Sequence, residues 1–367
     1  MVARSVPPVD RGGIQTHVLE LATALTDLGV EVVAHLFRAD YPRGLPFEVV
    51  RVPYASLPRL TAAQYITASL AAGLIVKRGR FDVFHAHSMY GWGTALAGAR
   101  PFVLTCHGTQ LNEYRMTRER TFDPNHLVTD YTSFRMERWS ARRADIVLAD
   151  CSDNARDLQA QYGLDPSRVV TVPLGVRLER FRAASPEGPV VLFVGRLHQR
   201  KGLDHLVAAM PEVLARVPDA RLLIAGRGER EGQVRSMVRR LGLEGSVELL
   251  GHVPDGELPS LYGRASVLAM PSLYEGFGLV MLEAMASAVP VVAFRTGAAA
   301  DLVRDGETGY LADPSTLGER LSRLLERPDE AAMMGRHARE LVLTDFTPRR
   351  MAERTLEAYE RAIAIAP

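Results

Sequence analysis

Two carboxylates carry the plainest chemical signal in the chain: Glu275 and Glu283, in the run Glu275-Gly-Phe-Gly-Leu-Val-Met-Leu-Glu283. Glu275 falls in a loop with Gly276 and Gly278, after the apolar run Ser266–Met270 and the pair Pro271-Ser272. Glu283 falls about one turn inside a predicted helix that starts near Leu279 and is otherwise apolar. Backbone N–H groups at a helix start attract anions such as phosphate, and glycines let a ligand approach the main chain closely. A carboxylate among apolar neighbours is costly unless donors reach it, and the vicinal hydroxyls of a ribose would supply two. The plain alternative is a charge on a solvated helix face. A helix that is apolar nearly all round belongs in a core, so Glu283 is read as functional.

A basic loop is the second signal. Gly195-Arg196-Leu-His-Gln-Arg-Lys201-Gly202 directly follows the apolar run Val190–Val194. Arginine offers a planar fork to phosphate oxygens and lysine a point charge, so the loop suits a diphosphate better than it suits solvent alone. Two further positions stay open on residue type. Gly12-Gly13 precede a helical stripe of Ile14, Val18, Leu21, Leu25 and Leu28, which fits either a turn or the close approach of an anionic or sugar ligand. His107, in Thr105-Cys-His-Gly-Thr109, fits contact with a reacting centre or a structural role like that read for His85 and His87. Missing are a D-x-D pair for a metal-bound diphosphate, and the H-E-x-x-H, G-x-S-x-G and P-loop patterns. Gly226-Arg-Gly-Glu-Arg-Glu-Gly232 imitates a dinucleotide fingerprint, but its third glycine is one residue late.

These loops need a scaffold. Short Val-, Ile- and Leu-rich runs at Val190–Val194, Arg221–Ala225, Ser246–Leu250, Ser266–Met270 and Pro290–Phe294 alternate with helical spacing such as Leu203, Leu206, Val207 and Met210. That alternation predicts βαβ units and a parallel sheet. Runs at Val30–Phe37, Phe81–His85, Pro101–Thr105 and Asp145–Ala149 repeat the theme in the first half. The fold class is therefore α/β with two halves, joined near Pro173–Pro189, where prolines and glycines break the periodicity. An opening strand is expected as well, but few residues precede Pro7-Pro8 to form it.

Composition bounds the function. Of 367 residues 47% are hydrophobic and 24% charged, which excludes a disordered chain. With 44 Lys and Arg against 43 Asp and Glu, the net charge of +1 speaks against nucleic acid as a partner. Cys106 and Cys151 cannot form a disulfide framework. The most apolar stretch, Ala68–Val76, is far too short to span a bilayer, and the opening residues lack a signal-peptide core. A cytoplasmic location is expected.

The ordered set Gly12-Gly13, His107-Gly108, Val172-Pro-Leu-Gly-Val176, Gly195-Arg196 with Lys201-Gly202, and Glu275 with Glu283 resembles the retaining family-4 glycosyltransferases, or glycosyl transferases group 1. The resemblance implies the GT-B architecture, two Rossmann-like domains facing a cleft. It assigns residues 1–172 and 345–367 to an acceptor-binding domain and 189–344 to a nucleotide-sugar-binding domain. It implies that Arg196 and Lys201 grip the diphosphate and Glu283 the ribose. Glu275 would bond the donor sugar, with the main chain of Gly276, Phe277, Gly278 and Leu279. Gly12, Gly13 and His107 would line the reaction centre, and His252 and Val253 would seat the base. Gly297-Ala-Ala-Ala-Asp301 stands where the family carries G-G-x-x-E, so Asp301 has a shorter reach toward the donor.

The activity implied is transfer, with retention, of a hexose-type sugar from a UDP- or GDP-linked donor to a hydroxyl acceptor. That acceptor would be a carbohydrate, a lipid-linked molecule or another small molecule. No metal and no cofactor are expected. A nucleotide-sugar 2-epimerase of the same architecture is the alternative. The segment Leu111–Arg143, rich in arginine and aromatic residues, suits peripheral contact with the inner membrane face; a solvated helical face is the simpler reading.

Overall fold

A computed structural model describes residues 1–7, 12–37, 41, 43–53, 61–118 and 124–366, with the side chains of residues 117, 118 and 124 left out. The segment before Gly12 that includes Pro8 and Arg11, and Arg120 and Phe122 of the arginine-rich segment, lie outside the described residues. The chain forms two compact units, Met1–Gly175 with Pro348–Pro367, and Val176–Thr347.

The first unit is a seven-stranded sheet built from β1 (Val2–Ala3), β2 (Val33–Leu36), β3 (Glu48–Arg51), β4 (Phe84–His87), β5 (Phe102–Cys106), β6 (Ile146–Ala149) and β7 (Val169–Thr171). The order is β3-β2-β1-β4-β5-β6-β7, with every pairing parallel. Its helices are α1 (Gly13–Asp27), α2 (Thr61–Val76), α3 (Trp92–Leu96), α4 (Gln110–Arg118), α5 (Pro124–Arg143) and α6 (Ser152–Tyr162). Central strands β5 and β6 are buried along their whole length, as a sheet covered on both faces demands.

The expected opening strand is present and only two residues long. Val2 and Ala3 are buried at the centre of the sheet, in register with His35 and Leu36 of β2. Main-chain bonds from His35 to Met1 (2.7 Å) and from Phe37 to Arg4 (3.1 Å) extend the ladder beyond them.

The second unit holds six parallel strands: β8 (Val190–Val194), β9 (Arg221–Ala225), β10 (Val247–Gly251), β11 (Val267–Met270), β12 (Val291–Phe294) and β13 (Gly309–Ala312). They run in the order β10-β9-β8-β11-β12-β13. Around them lie α7 (Leu203–Arg216), α8 (Glu231–Arg240), α9 (Leu258–Arg264), α10 (Leu279–Ala286), α11 (Ala299–Leu302), α12 (Leu317–Glu326) and α13 (Pro328–Asp345). Leu206, Val207, Met210 and Val213, one stripe of α7, pack with Val191, Phe193 and Leu222 in a single core. The last helix, α14 (Pro348–Ile365), returns to the first unit, where Met351, Ala352, Ala358 and Ala362 join Val18, Leu21 and Leu25 of α1.

Two strands differ from their expected spans by more than a residue or two at one end, and in the first of them, read as Val30–Phe37, pairing covers only Val33–Leu36. The run read as Phe81–His85 pairs instead over Phe84–His87. Phe81 stays outside the ladder, its ring edge-on to Phe84 at 5.6 Å, while His85 and His87 continue the strand as buried residues. Both sheets reverse direction of growth at one point, between β1 and β4 and between β8 and β11. Ligands of open α/β sheets bind at the carboxyl ends of strands at such a reversal.

Candidate functional site

In the second unit the loops after β8 and β11 meet at that reversal. Gly202 takes φ 65°, a left-handed conformation natural to glycine, and a Cβ there would collide with the Pro271 carbonyl oxygen. The Leu273 N–H donates to Arg200 O at 2.7 Å. The loop after β12 closes a third side: Gly297 lies against the Glu275 main chain, and Thr296 Oγ1 donates to Ser272 O at 2.9 Å.

The sequence-predicted groups divide here. Lys201 Nζ and Glu275 Oε2 form an ion pair, with side chains only 13% and 10% exposed. Arg200, which residue reading passed over, stands 3.8 Å from the other Glu275 oxygen. Arg196 is exposed, its carbonyl accepting from the His198 N–H at 2.8 Å. His252 and Val253 follow β10 at the same edge, His252 exposed and Val253 half-buried.

Glu283 sits in the second turn of α10, whose first turn is entered through Gly278 at φ 88°. Its Oε2 accepts a hydrogen bond from the Tyr262 hydroxyl at 2.7 Å. Tyr262, on α9, is wholly buried. Burial raises the Glu283 carboxyl above its ordinary range, opposed by the Tyr262 bond and by the Arg180 charge. The donor that an apolar helix must find for its carboxylate is thus partly supplied by the protein. A buried tyrosine beginning no motif gave no signal; only its place on the inner face of a short helix could have found it.

The false fingerprint proves to be scaffolding. Gly226 follows β9 with its Cα against the Gly195 carbonyl, and Gly195 N–H bonds Ala225 O at 2.9 Å. Leu197 N–H bonds Arg227 O at 3.0 Å and Arg230 N–H bonds Leu197 O at 3.0 Å. The segment holds the basic loop in shape.

In the first unit the corresponding edge is lined with imidazoles. Gly12 is the extended N-cap of α1, and Gly13 its first residue. His17, one turn on, is buried, its ring centroid 4.8 Å from that of His107 and 5.5 Å from that of His87. His107 follows β5, and its Nδ1 lies 2.8 Å from Asp150 Oδ2 at the end of neighbouring β6. Its Nε2 lies 3.1 Å from His87 Nδ1. His85 is held as expected of a structural residue, by Tyr359 and Thr105 at 2.7 Å each. His87, read with it as structural, instead faces His107. Burial pushes the His17 and His87 rings well below their usual range, and the neighbouring imidazoles add to the effect.

Much of the arginine-rich segment is engaged internally. Arg142 Nε donates to Tyr162 O at 2.8 Å, Arg143 lies 3.6 Å over the Trp139 ring, and Phe134 is buried. No described helix is long and apolar enough to cross a membrane.

Comparison with known proteins divides the chain near the same place. The family model of Glycosyltransferase Family 4 matches residues 11–180, and that of Glycosyl transferases group 1 matches residues 177–341. A D-inositol 3-phosphate glycosyltransferase of Catenulispora acidiphila is 30% identical, over 96% of this chain and 91% of its own. This chain belongs to the family-4 glycosyltransferases. Among solved structures, a sucrose-phosphate synthase of Thermosynechococcus elongatus superposes with a TM-score of 0.81, at 24% identity, over 96% of this chain and 94% of that one. The Anabaena protein HepE, solved with UDP and glucose, superposes with a TM-score of 0.76 at 20% identity, covering 98% and 99% of the two chains. The fold of this glycosyltransferase is thus GT-B, two Rossmann-like α/β domains.

Proposed function

We propose that this glycosyltransferase moves a hexose-type sugar from a nucleoside diphosphate sugar to a hydroxyl acceptor, with retention and without a metal. The second unit holds the donor and the first the acceptor. The observation that carries the reading is the group at the β8–β11 reversal: Lys201 paired to Glu275, exposed Arg196, the glycine-led start of α10, and Glu283 behind it. Cations and a helix start aimed at a leaving diphosphate stabilise the charge that develops as the glycosidic bond breaks. On binding, the diphosphate would compete with Glu275 for Lys201, freeing the carboxylate for the sugar. Glu283, with one oxygen on Tyr262, keeps acceptor capacity for a ribose hydroxyl. His107, its Nδ1 held by Asp150, would meet the reacting sugar, and Gly12 and Gly13 would let it come close to α1.

UDP is the first donor to test, since HepE was solved with UDP and glucose. The relatives named above act, by their names, on or toward phosphorylated small molecules, which makes a phosphorylated polyol or sugar the acceptor class to screen first. Two buried cysteines, Cys106 and Cys151, neither in a disulfide, suit a reducing compartment.

The test is a thermal-shift screen of nucleoside diphosphates and their sugars, because a ligand that binds only the folded state raises its melting temperature. Product analysis then follows with the best donor, before and after exhaustive chelation. Shifts with one diphosphate series and transfer that survives the chelator are expected. No shift with any of them, or activity restored only by Mn²⁺ or Mg²⁺, would overturn the reading.

A further inference from the structure

Three histidines from three separate elements converge in the first unit, more than one reaction-centre contact needs. The candidate ligand atoms of His17, His87 and His107 all lie within 4.8 Å of one another. His17 has neither ring nitrogen hydrogen-bonded, and His87 Nε2 and Asp150 Oδ1 also lack partners, all of these atoms being fully buried. A neutral imidazole always carries one N–H and one lone pair. His17 therefore buries both a donor and an acceptor with nothing to meet them, which is destabilising unless a ligand takes them up. Each neutral ring has one lone pair to offer to the space the three rings share.

We propose that His17, His87 and His107 form a three-imidazole site for a transition-metal ion of the zinc class. Zinc bonds imidazole nitrogen at about 2.0–2.1 Å, so two ligands of a tetrahedral site stand roughly 3.3 Å apart. The 3.1 Å between His87 Nδ1 and His107 Nε2 is close to that spacing. Asp150 completes the pattern. It takes the Nδ1–H of His107 at 2.8 Å, fixing the tautomer whose Nε2 lone pair points inward, as carboxylates behind metal-bound histidines do. Three protein nitrogens leave a fourth position for water or a ligand oxygen. Imidazole suits zinc, copper and nickel, whereas oxygen ligands suit magnesium and manganese. The site is therefore distinct from any metal–diphosphate chemistry and does not depend on the donor reading above. Its consequence for transfer is inhibitory, because a metal on His107 Nε2 withdraws that nitrogen from a sugar.

The experiment uses the tag-free full chain, stripped with a chelator and titrated with Co²⁺. One equivalent should develop the visible absorption of a four-coordinate cobalt ion, and Zn²⁺ but not Mg²⁺ should bleach it. Zinc affinity, read by competition with a chromophoric chelator, should fall at least a hundredfold in His17→Ala and His87→Ala. In Asp150→Asn it should fall ten- to a hundredfold, and in His337→Ala it should not change. Circular dichroism of each stripped variant guards against misfolding, and His17→Gln replaces His17→Ala if that variant is unstable. Absence of the absorption in the stripped wild-type chain at excess Co²⁺ would overturn the proposal, as would equal zinc affinity in the folded His17 variant. Failure here would leave the diphosphate thermal shifts untouched.

Discussion

At the edge of the six-stranded sheet, charges of opposite sign are brought together: Lys201 and Arg200 on Glu275, with Arg196 outside. At the edge of the seven-stranded sheet the corresponding positions hold imidazole rings, with the Asp150 carboxylate behind His107. Cations near a surface retain their charge and offer it to an anionic ligand, screened only in part by solvent. Burial pushes the His17 and His87 rings toward the neutral form, which has one N–H and one lone pair to offer. One architecture, used twice in a chain, thus gathers ion-pairing side chains at one edge and imidazoles at the other.

The comparison can be broken at its charged edge first. Lys201→Ala and Arg196→Ala should each raise the barrier to transfer by about 2–4 kcal/mol, with the melting temperature of Arg196→Ala close to wild type, since that side chain is exposed, and that of Lys201→Ala lowered by the Glu275 carboxylate left without its partner. Full turnover in both folded variants would remove the anion receptor from the account.

The neutral edge is next. Glu137, fully buried on α5, accepts from the Tyr162 hydroxyl at 2.6 Å and the Gln110 N–H at 3.0 Å. Burial nevertheless raises its carboxyl from 4.5 to about 7. A raised carboxyl binds its proton more tightly in the folded state. Its contribution is fully present below the unfolded value of 4.5 and is lost as pH rises through about 7. At about 1.4 kcal/mol per unit, wild type should lose about 3 kcal/mol relative to Glu137→Gln between those limits. Urea unfolding of both proteins across that range measures it; a constant gap would show that the carboxylate is solvated.

Finer resolution comes from the two glutamates. Glu283→Gln removes a charged acceptor, so affinity for bare nucleoside diphosphate should drop by about 1.5–3 kcal/mol, roughly ten- to a hundredfold. Glu275→Gln should leave that affinity unchanged or tighten it, by releasing Lys201, while turnover of the intact donor falls. Calorimetric titration beside initial rates separates them. Equal weakening in both would merge the two roles.

Legibility followed burial. Runs such as Val190–Val194 and Arg221–Ala225 are buried strands in apolar residues and coincide with β8 and β9. The strands not foreseen, β3, β7 and β13, are three or four residues long at sheet edges, partly exposed and without a marked pattern. His87 hid the end of β4 because histidine reads as polar even where it is buried. In the site, Lys201 and Glu275 were legible through their glycine-rich loops. Tyr262, Asp150 and His17 were not, because each acts on a residue distant in sequence, and only the fold supplies that adjacency.

The backbone contacts at Gly202, Gly226 and Gly297 leave no volume for a side chain, whereas Gln199 and Glu229, on the same loops, face open solvent. Mutational tolerance along these loops should therefore alternate within a few residues, from forbidding to permissive. A lineage can exchange the permissive letters freely without displacing the frame. New donor or acceptor preferences can then arise by single substitutions, and the evolutionary record of such a loop would be invariant glycines separated by drift.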